Sequence, residues 1–248
     1  MTADLNLQIH HPDGMIAQYV QAIWFAQSRT QGAAWLPSDG ANGFIFPIKG
    51  KVYLGDDQVA LPYLTQPTAT HSVKIHYSAQ ACFCGLRFQP AGLGVLKASA
   101  HPLVEHKHIN KVVKALKNNP SFKTLLELLK PMLAAEVTLD RSALYTQTLL
   151  GHIAKLAPLQ FAYTKTPLGQ RQLERQIKQY CGITPKHLAR IHRARSVRKI
   201  LKDNPNINFA QLAIECGYAD QAHLIREFKS IMQITPAKYR KRIQAMSE

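Results

Sequence analysis

Acidic residues are scarce in this chain. It carries 15 Asp and Glu against 31 Lys and Arg, a formal net charge of +16 over 248 residues. An excess of that size argues against a cationic partner and favours a polyanion. Cysteine is scarce too, with only Cys82, Cys84, Cys181 and Cys216. The opening stretch MTADLNLQIHHPDG is polar and does not read as a secretion leader. The four cysteines are therefore expected as reduced thiols in a cytoplasmic protein, not as a disulfide framework. No apolar run reaches the ~18 residues that a spanning helix needs, so no membrane partner is expected. The sequence also lacks a phosphate-binding glycine loop, a nucleophile motif and a paired-carboxylate pattern, so no enzyme is expected. What is there, 46% hydrophobic and 19% charged, is a globular chain of one or two domains.

The charge is uneven. Residues 161–248 hold 17 Lys and Arg against 6 Asp and Glu, whereas residues 1–160 hold 14 against 9. The basic C-terminal third contains INFAQLAIECGYADQAHLIREFKSIMQITPAKYRKR, residues 207–242. Two short helical patterns meet there at Gly217. Asn208 is placed to cap the first and Asp220 the second, and Gly217 falls where a helix end needs a left-handed residue. Two helices joined by a short turn containing Gly form a helix-turn-helix pattern.

At 100° per residue, Leu224, Phe228 and Ile231 share one face of the second helix, which would meet a core. Ala222, Arg226 and Lys229 share the opposite face, flanked by Ile225, with Gln221 at the tip. Small, amide and cationic residues around an exposed helix start suit a DNA major groove. An ordinary surface helix with solvated cations has the same pattern.

The stretch repeats, which separates the two readings. LERQIKQYCGITP, from Leu173, lies 51 positions before LIREFKSIMQITP, from Leu224. The core positions correspond, with Leu173 and Ile177 answering Leu224 and Phe228. So do the outward cations, Arg175 with Arg226 and Lys178 with Lys229. Each copy ends in Ile-Thr-Pro, where Thr caps the next helix and Pro takes its first position. A repeat kept for packing alone would preserve only the core face. The candidate DNA-contacting residues are Arg171, Glu174, Arg175 and Lys178 in the first copy, and Gln221, Ala222, Ile225, Arg226 and Lys229 in the second.

GYADQAHLIREFKSIMQITPAKYR resembles the signature of the AraC/XylS family of bacterial transcription regulators. The resemblance spans roughly residues 168–242. It implies two helix-turn-helix units joined by a long helix, with both recognition helices set in successive major grooves of double-stranded DNA. It further implies a transcription factor that can meet RNA polymerase, pair as a homodimer, or answer a small-molecule effector at its N-terminal domain. Gln233 stands where the family usually has Gly, which implies a strained helix end. The first unit's leading helix should fall in PLQFAYTKTPLG, residues 158–169, where no strong periodicity is seen. Either a shortened helix there or the pattern at 145–156 could serve.

Residues 1–100 read as β-rich, with turn clusters between short apolar runs and strands expected at 43–48, 51–54, 72–77 and 81–88. Residues 19–25, 37–40 and 85–92 resemble parts of a cupin-like sensor domain. His71, His76, Cys82 and Cys84 are metal-ligand types, but small buried thiols and solvated imidazoles are the commoner fate, and no metal or cofactor is expected. Trp24, Trp35, Phe46, Tyr53 and Tyr63 fit a core better than a ligand pocket. His106 and His108 are expected to face solvent.

Residues 101–157 read as a helical connector or dimerisation segment, with helices over 103–117, from 122 to a stop or kink at Pro131, and over 145–156. A cationic helix over 185–201, roughly 25 Å long, would join the two units. The expected fold class is α+β: an N-terminal small barrel or sandwich, cupin-like, a helical middle, and an all-α double helix-turn-helix domain at 158–248. The expected function is sequence-specific DNA binding. The rivals are a metal-dependent cupin-like enzyme tethered to DNA and an architectural protein without sequence preference.

Overall fold

In a computed structural model, residues 5–59 and 62–245 are described. The outer bounds of the domain reading, residues 1 and 248, lie outside them. The first part contains, among the described residues, nine strands: β1 (Leu5–His10), β2 (Val20–Ser28), β3 (Gly32–Leu36), β4 (Gly43–Lys49), β5 (Val52–Leu54), β6 (Asp57–Gln58), β7 (Leu64–Gln66), β8 (Val73–Tyr77) and β9 (Cys82–Phe88). They form a five-stranded sheet in the order β1-β2-β9-β4-β7 and a four-stranded sheet in the order β3-β8-β5-β6, and the paired strands run antiparallel. The four expected strands are present. β1, β2, β3, β6 and β7 escaped the sequence reading, the last two because two or three residues make too short an apolar run to read.

The apolar runs of β4 and β9 are continuous because both faces of the larger sheet are covered. Phe44, Phe46, Cys82, Cys84, Leu86 and Phe88 face a core shared with helices. The alternate residues Ile45 and Phe83 face a second core with Val52, Ile75 and Tyr77 of the smaller sheet. Trp24 lies across from Gly85 in the β2–β9 register. A Cβ at Gly85 would meet the Trp24 ring at 2.4 Å and the Phe44 carbonyl oxygen at 2.2 Å, so only glycine fits there. Pro47 is tolerated in β4 because it lies beyond the β7 pairing and beside a shift in the β9 register.

Among the described residues ten α-helices follow: α1 (Gly92–Ala98), α2 (His106–Asn118), α3 (Phe122–Leu133), α4 (Arg141–Ala154), α5 (Leu159–Tyr163), α6 (Gln170–Cys181), α7 (Pro185–Asp203), α8 (Phe209–Glu215), α9 (Gln221–Met232) and α10 (Pro236–Gln244). α2 and α3 bury Ile109, Val112, Leu116, Leu125 and Leu129 in the core that also holds one face of the larger sheet, so these helices close the β sandwich. α3 runs two residues past Pro131, since a proline in the last turn removes a single ladder bond near a helix end. α4 starts earlier than the pattern at 145–156, behind Asp140, whose carboxylate accepts from the Ala143 amide at 2.7 Å. His106 is exposed and meets the Tyr63 hydroxyl at 2.5 Å, whereas His108 is half-buried, its Nδ1 3.2 Å from the Pro102 carbonyl.

Candidate nucleic-acid interface

The C-terminal helices form a three-helix unit made twice. α5 starts and ends about 51 residues before α8, α6 before α9, and α4 precedes α5 as α7 precedes α8. The first unit therefore has its leading helix, shortened to Leu159–Tyr163, at the place where the sequence showed no period. Equivalent core positions are filled alike: Ala143 and Ala194, Ala162 and Ala213, Leu173 and Leu224, Ile177 and Phe228 are all buried. Asn208 accepts from the Ala210 amide at 2.7 Å and Asp220 from the His223 amide at 2.6 Å, so each helix of the second unit begins on its expected cap. Thr184 and Thr235 cap α7 and α10 in the same way. Gly217 has φ +72° and Gly182, after α6, has φ +77°. Gln233 holds the equivalent left-handed place at φ +57°, as the departure from the family pattern implied.

The reading faces are open. Arg171, Arg175 and Lys178 on α6 are exposed, and so are Gln221, Ala222, Arg226 and Lys229 on α9. Two candidates stand apart from these. Glu174 is half-buried and accepts from the Tyr163 hydroxyl at 3.1 Å and from Gln170 Nε2 at 2.9 Å, so its carboxylate ties α6 to α5. Burial and this carboxylate push the Tyr163 hydroxyl's pKa up, which keeps it a donor. Ile225, 51 positions on, is half-buried against the core.

Sequence reasoning missed the device that orients the second reading helix. Glu227 is buried, and its carboxylate accepts from Arg190 Nε at 3.0 Å and from Arg193 Nη2 at 2.7 Å. Arg190 also reaches Ser230 Oγ at 3.2 Å. Two of the cations of the helix that joins the units are thus inward-turned partners of one carboxylate. Paired, desolvated guanidinium–carboxylate bonds are strong and directional. At the equivalent place in the first unit Gln176 donates to Ser142 Oγ at 3.0 Å. Glu227 lies one step from Arg226 in a run of mixed polarity, and only its near-repeat in Gln176 could have flagged it.

The β sandwich touches both units. Thr68 Oγ1 donates to the Cys181 carbonyl at the end of α6, at 2.5 Å, and the Ser72 amide donates to the Ile231 carbonyl near the end of α9, at 2.8 Å. The Trp35 ring meets Tyr239 and lies under Arg198. A cleft of about 900 Å³ lies between the sandwich, α4 and α7, lined by Arg195, Lys199, Lys202, Leu150 and Val95 among others. The Tyr19 hydroxyl is buried at this cleft without a hydrogen-bond partner among the described residues. Burial, with Arg195 adjacent, holds the His192 imidazole down at about 4, against a smaller opposing effect of Asp39.

The metal-ligand types do not converge. Cys82 and Cys84 are buried in the larger sheet, while His71 and His76 are exposed and His76 belongs to the smaller sheet. Among the described residues no group of three His, Cys, Asp or Glu could hold a metal ion, and no helix is long and apolar enough to cross a membrane.

Residues 164–242 match a family described as a helix-turn-helix domain. No curated protein matches the chain. Among solved structures, the chain is similar to ToxT from Vibrio cholerae at 10% identity over 96% of this chain and 98% of that one, with a TM-score of 0.45. It is similar to the xylose-binding transcription activator XylR at 16% identity over 45% of this chain and 29% of that one, TM-score 0.34. It is similar to the AraC-like transcriptional activator CuxR at 9% identity over 97% of this chain and 86% of that one, TM-score 0.26.

Proposed function

We propose that this chain is a sequence-specific DNA-binding transcription regulator that acts in the cytoplasm and reads two successive major grooves with α6 and α9. One observation carries the reading: Arg175 and Arg226, and Lys178 with Lys229, are exposed at matching places of a duplicated helix-turn-helix unit. Arginine can bond guanine through two parallel hydrogen bonds, and lysine neutralises phosphate. Gln221 and Ala222 at the tip of α9 supply an amide for adenine and a methyl contact for thymine. Glu174 and Ile225 support these faces from the side. The work is binding and not catalysis.

The DNA-binding part, on this reading, begins at α4, since Ser142 and Gln176 reproduce in the first unit the α7–α9 cross-link of the second. The β sandwich with α1 to α3 receives the signal. The cleft it shares with α4 and α7 offers cations, an apolar wall and an unpaired buried hydroxyl, which suits an effector with an acidic head and an apolar body. Contact with RNA polymerase and pairing into a homodimer belong to the same reading.

Selecting bound sequences from a random DNA pool tests it. Two short conserved blocks about 10–10.5 base pairs apart are expected, one for each reading helix. Inserting about five base pairs between the blocks turns one to the far face of the duplex, and affinity should fall toward that of one unit with phosphate contacts alone. A pool that yields no preferred sequence favours an architectural protein.

A further inference from the structure

The long helix α7 is not the sole connection between the two reading helices. Residues 67–72, between β7 and β8, bond to both of them. Thr68 Oγ1 donates to the Cys181 carbonyl of α6 at 2.5 Å, and the Ser72 amide donates to the Ile231 carbonyl of α9 at 2.8 Å. Between these bonds, His187 Nε2, on the first turn of α7, donates to the Thr70 carbonyl at 2.9 Å. Ser72 Oγ also lies 3.6 Å from the Met232 sulfur. Two residues of one six-residue loop, Thr68 and Ser72, thus satisfy carbonyls at the C-terminal ends of two helices that belong to different units, where a helix leaves acceptors unpaired.

The loop is itself held from behind. Ser38 Oγ donates to the Ala69 carbonyl at 2.8 Å, and the Ser38 amide donates to Ser72 Oγ at 3.0 Å. Arg87, on the central strand β9, pairs with Asp39 and donates to Gln66 Oε1 at 3.1 Å. The path from sheet to reading helices is therefore continuous and hydrogen-bonded. A second support reaches α6 alone: a Cβ at Gly94, in α1, would stand 2.6 Å from the Tyr180 carbonyl oxygen, so α1 and α6 touch backbone to backbone.

We infer that the 67–72 loop clamps α6 and α9 at one fixed separation, so that Thr68, seated in the N-terminal sandwich, is a positioning residue for the spacing of the DNA site. The inference rests on the two-groove reading for its DNA consequence, but its geometric core does not need DNA. The sandwich is then part of the reading head. A change in the sandwich reaches DNA as a change in the spacing of two helices, with no new base contact.

The test uses the full chain. Gln172→Cys on α6 and Gln221→Cys on α9 place thiols for spin labels at exposed sites, while the four native cysteines are buried and take up label poorly. The label-to-label distance is measured without DNA in this background, in Thr68→Val and in Gly94→Ala, with melting curves showing that each variant is folded. Thr68→Val removes the hydroxyl at nearly constant volume and should broaden the distance distribution. Gly94→Ala forces the α1–α6 contact apart and should shift its mean. Distributions that match the parent in both variants overturn the clamp.

Thr68→Val and Gly94→Ala, each in the otherwise native chain without the added cysteines, are then titrated against the selected DNA site and against versions with one base pair added or removed between its blocks. One base pair moves a block by ~3.4 Å and about a tenth of a turn, so the wild-type chain should lose about tenfold in affinity on either altered site. Thr68→Val should shrink that ratio to within about threefold, largely by losing affinity for the parent spacing. Broadened distances with no spacing preference in any protein support the clamp and overturn the two-groove reading. Broadened distances with the wild-type ratio intact overturn the role of Thr68 in spacing.

Discussion

Glu227 accepts two hydrogen bonds from Arg193, one from Nε at 3.0 Å and one from Nη2 at 2.7 Å. The pair joins α9 to α7 beneath the exposed face that carries Arg226. Its counterpart in the first unit, Gln176 with Ser142, is neutral and single. The second reading helix is thus oriented by a charged fork and the first by an amide on a hydroxyl. The two units should differ in how firmly they resist perturbation.

Removing the carboxylate measures that difference. Glu227→Ala leaves the inward-turned guanidinium groups of Arg190 and Arg193 without their partner and should cost roughly 2–4 kcal/mol, below the top of the range for broken buried pairs because both arginines keep some solvent. Gln176→Ala loses one neutral bond and should cost about 1 kcal/mol. Urea denaturation of the full chain compares the two. Equal losses would mean that the fork contributes no more than the neutral bond.

On a selected site, Arg175→Ala and Arg226→Ala should each cost ~1–3 kcal/mol in binding and relax preference at one base position. Both side chains are exposed, so melting curves should not move. A binding titration in which either variant keeps affinity and base preference removes that residue from the interface.

Phe228 is fully buried and meets Tyr239 of α10, their ring centroids 6.1 Å apart. Phe228→Ala should destabilise by ~3–5 kcal/mol through the cavity it leaves. The buried Ile177 is its equivalent in α6, and Ile177→Val should cost only ~0.5–1.5 kcal/mol. Denaturation midpoints that rank the two the other way would contradict the packing described for α9.

His192 gives a pH signature. Its folded value is held down at about 4 from the ordinary 6.5, chiefly by burial and then by Arg195. Between those values the unfolded chain binds the proton and the folded chain does not. Its contribution is therefore complete above about pH 6.5 and is lost as pH falls toward 4. His192→Leu should flatten the loss of stability between pH 7 and 5, a window above the ordinary range of most carboxylates. If denaturation curves of variant and parent fall in parallel across that window, His192 is not the group responsible.

Local chemistry determined a good deal. The caps at Asn208, Asp220, Thr184 and Thr235, the left-handed positions 182, 217 and 233, and the apolar stripes of α6 and α9 are all short-range patterns. The physics that reads them acts within one or two turns of chain, so the double helix-turn-helix and its outward cations were legible residue by residue. The 51-residue repeat extended that reach, because duplicated spacing needs no tertiary contact to be seen. The α5 helix was not legible: five residues make too little periodic signal, and its place is fixed by packing against α4 and by the Tyr163–Glu174 bond. Only the folded chain could show which charges turn inward. Arg190 and Arg193 are cations on a helix like any others until Glu227, more than thirty residues away, comes to lie beneath them. The same holds for Thr68, which stands in an unremarkable polar loop and finds the Cys181 carbonyl 113 residues later. Contacts of that separation depend on where two distant stretches of the chain meet, and no local period in the sequence encodes that meeting.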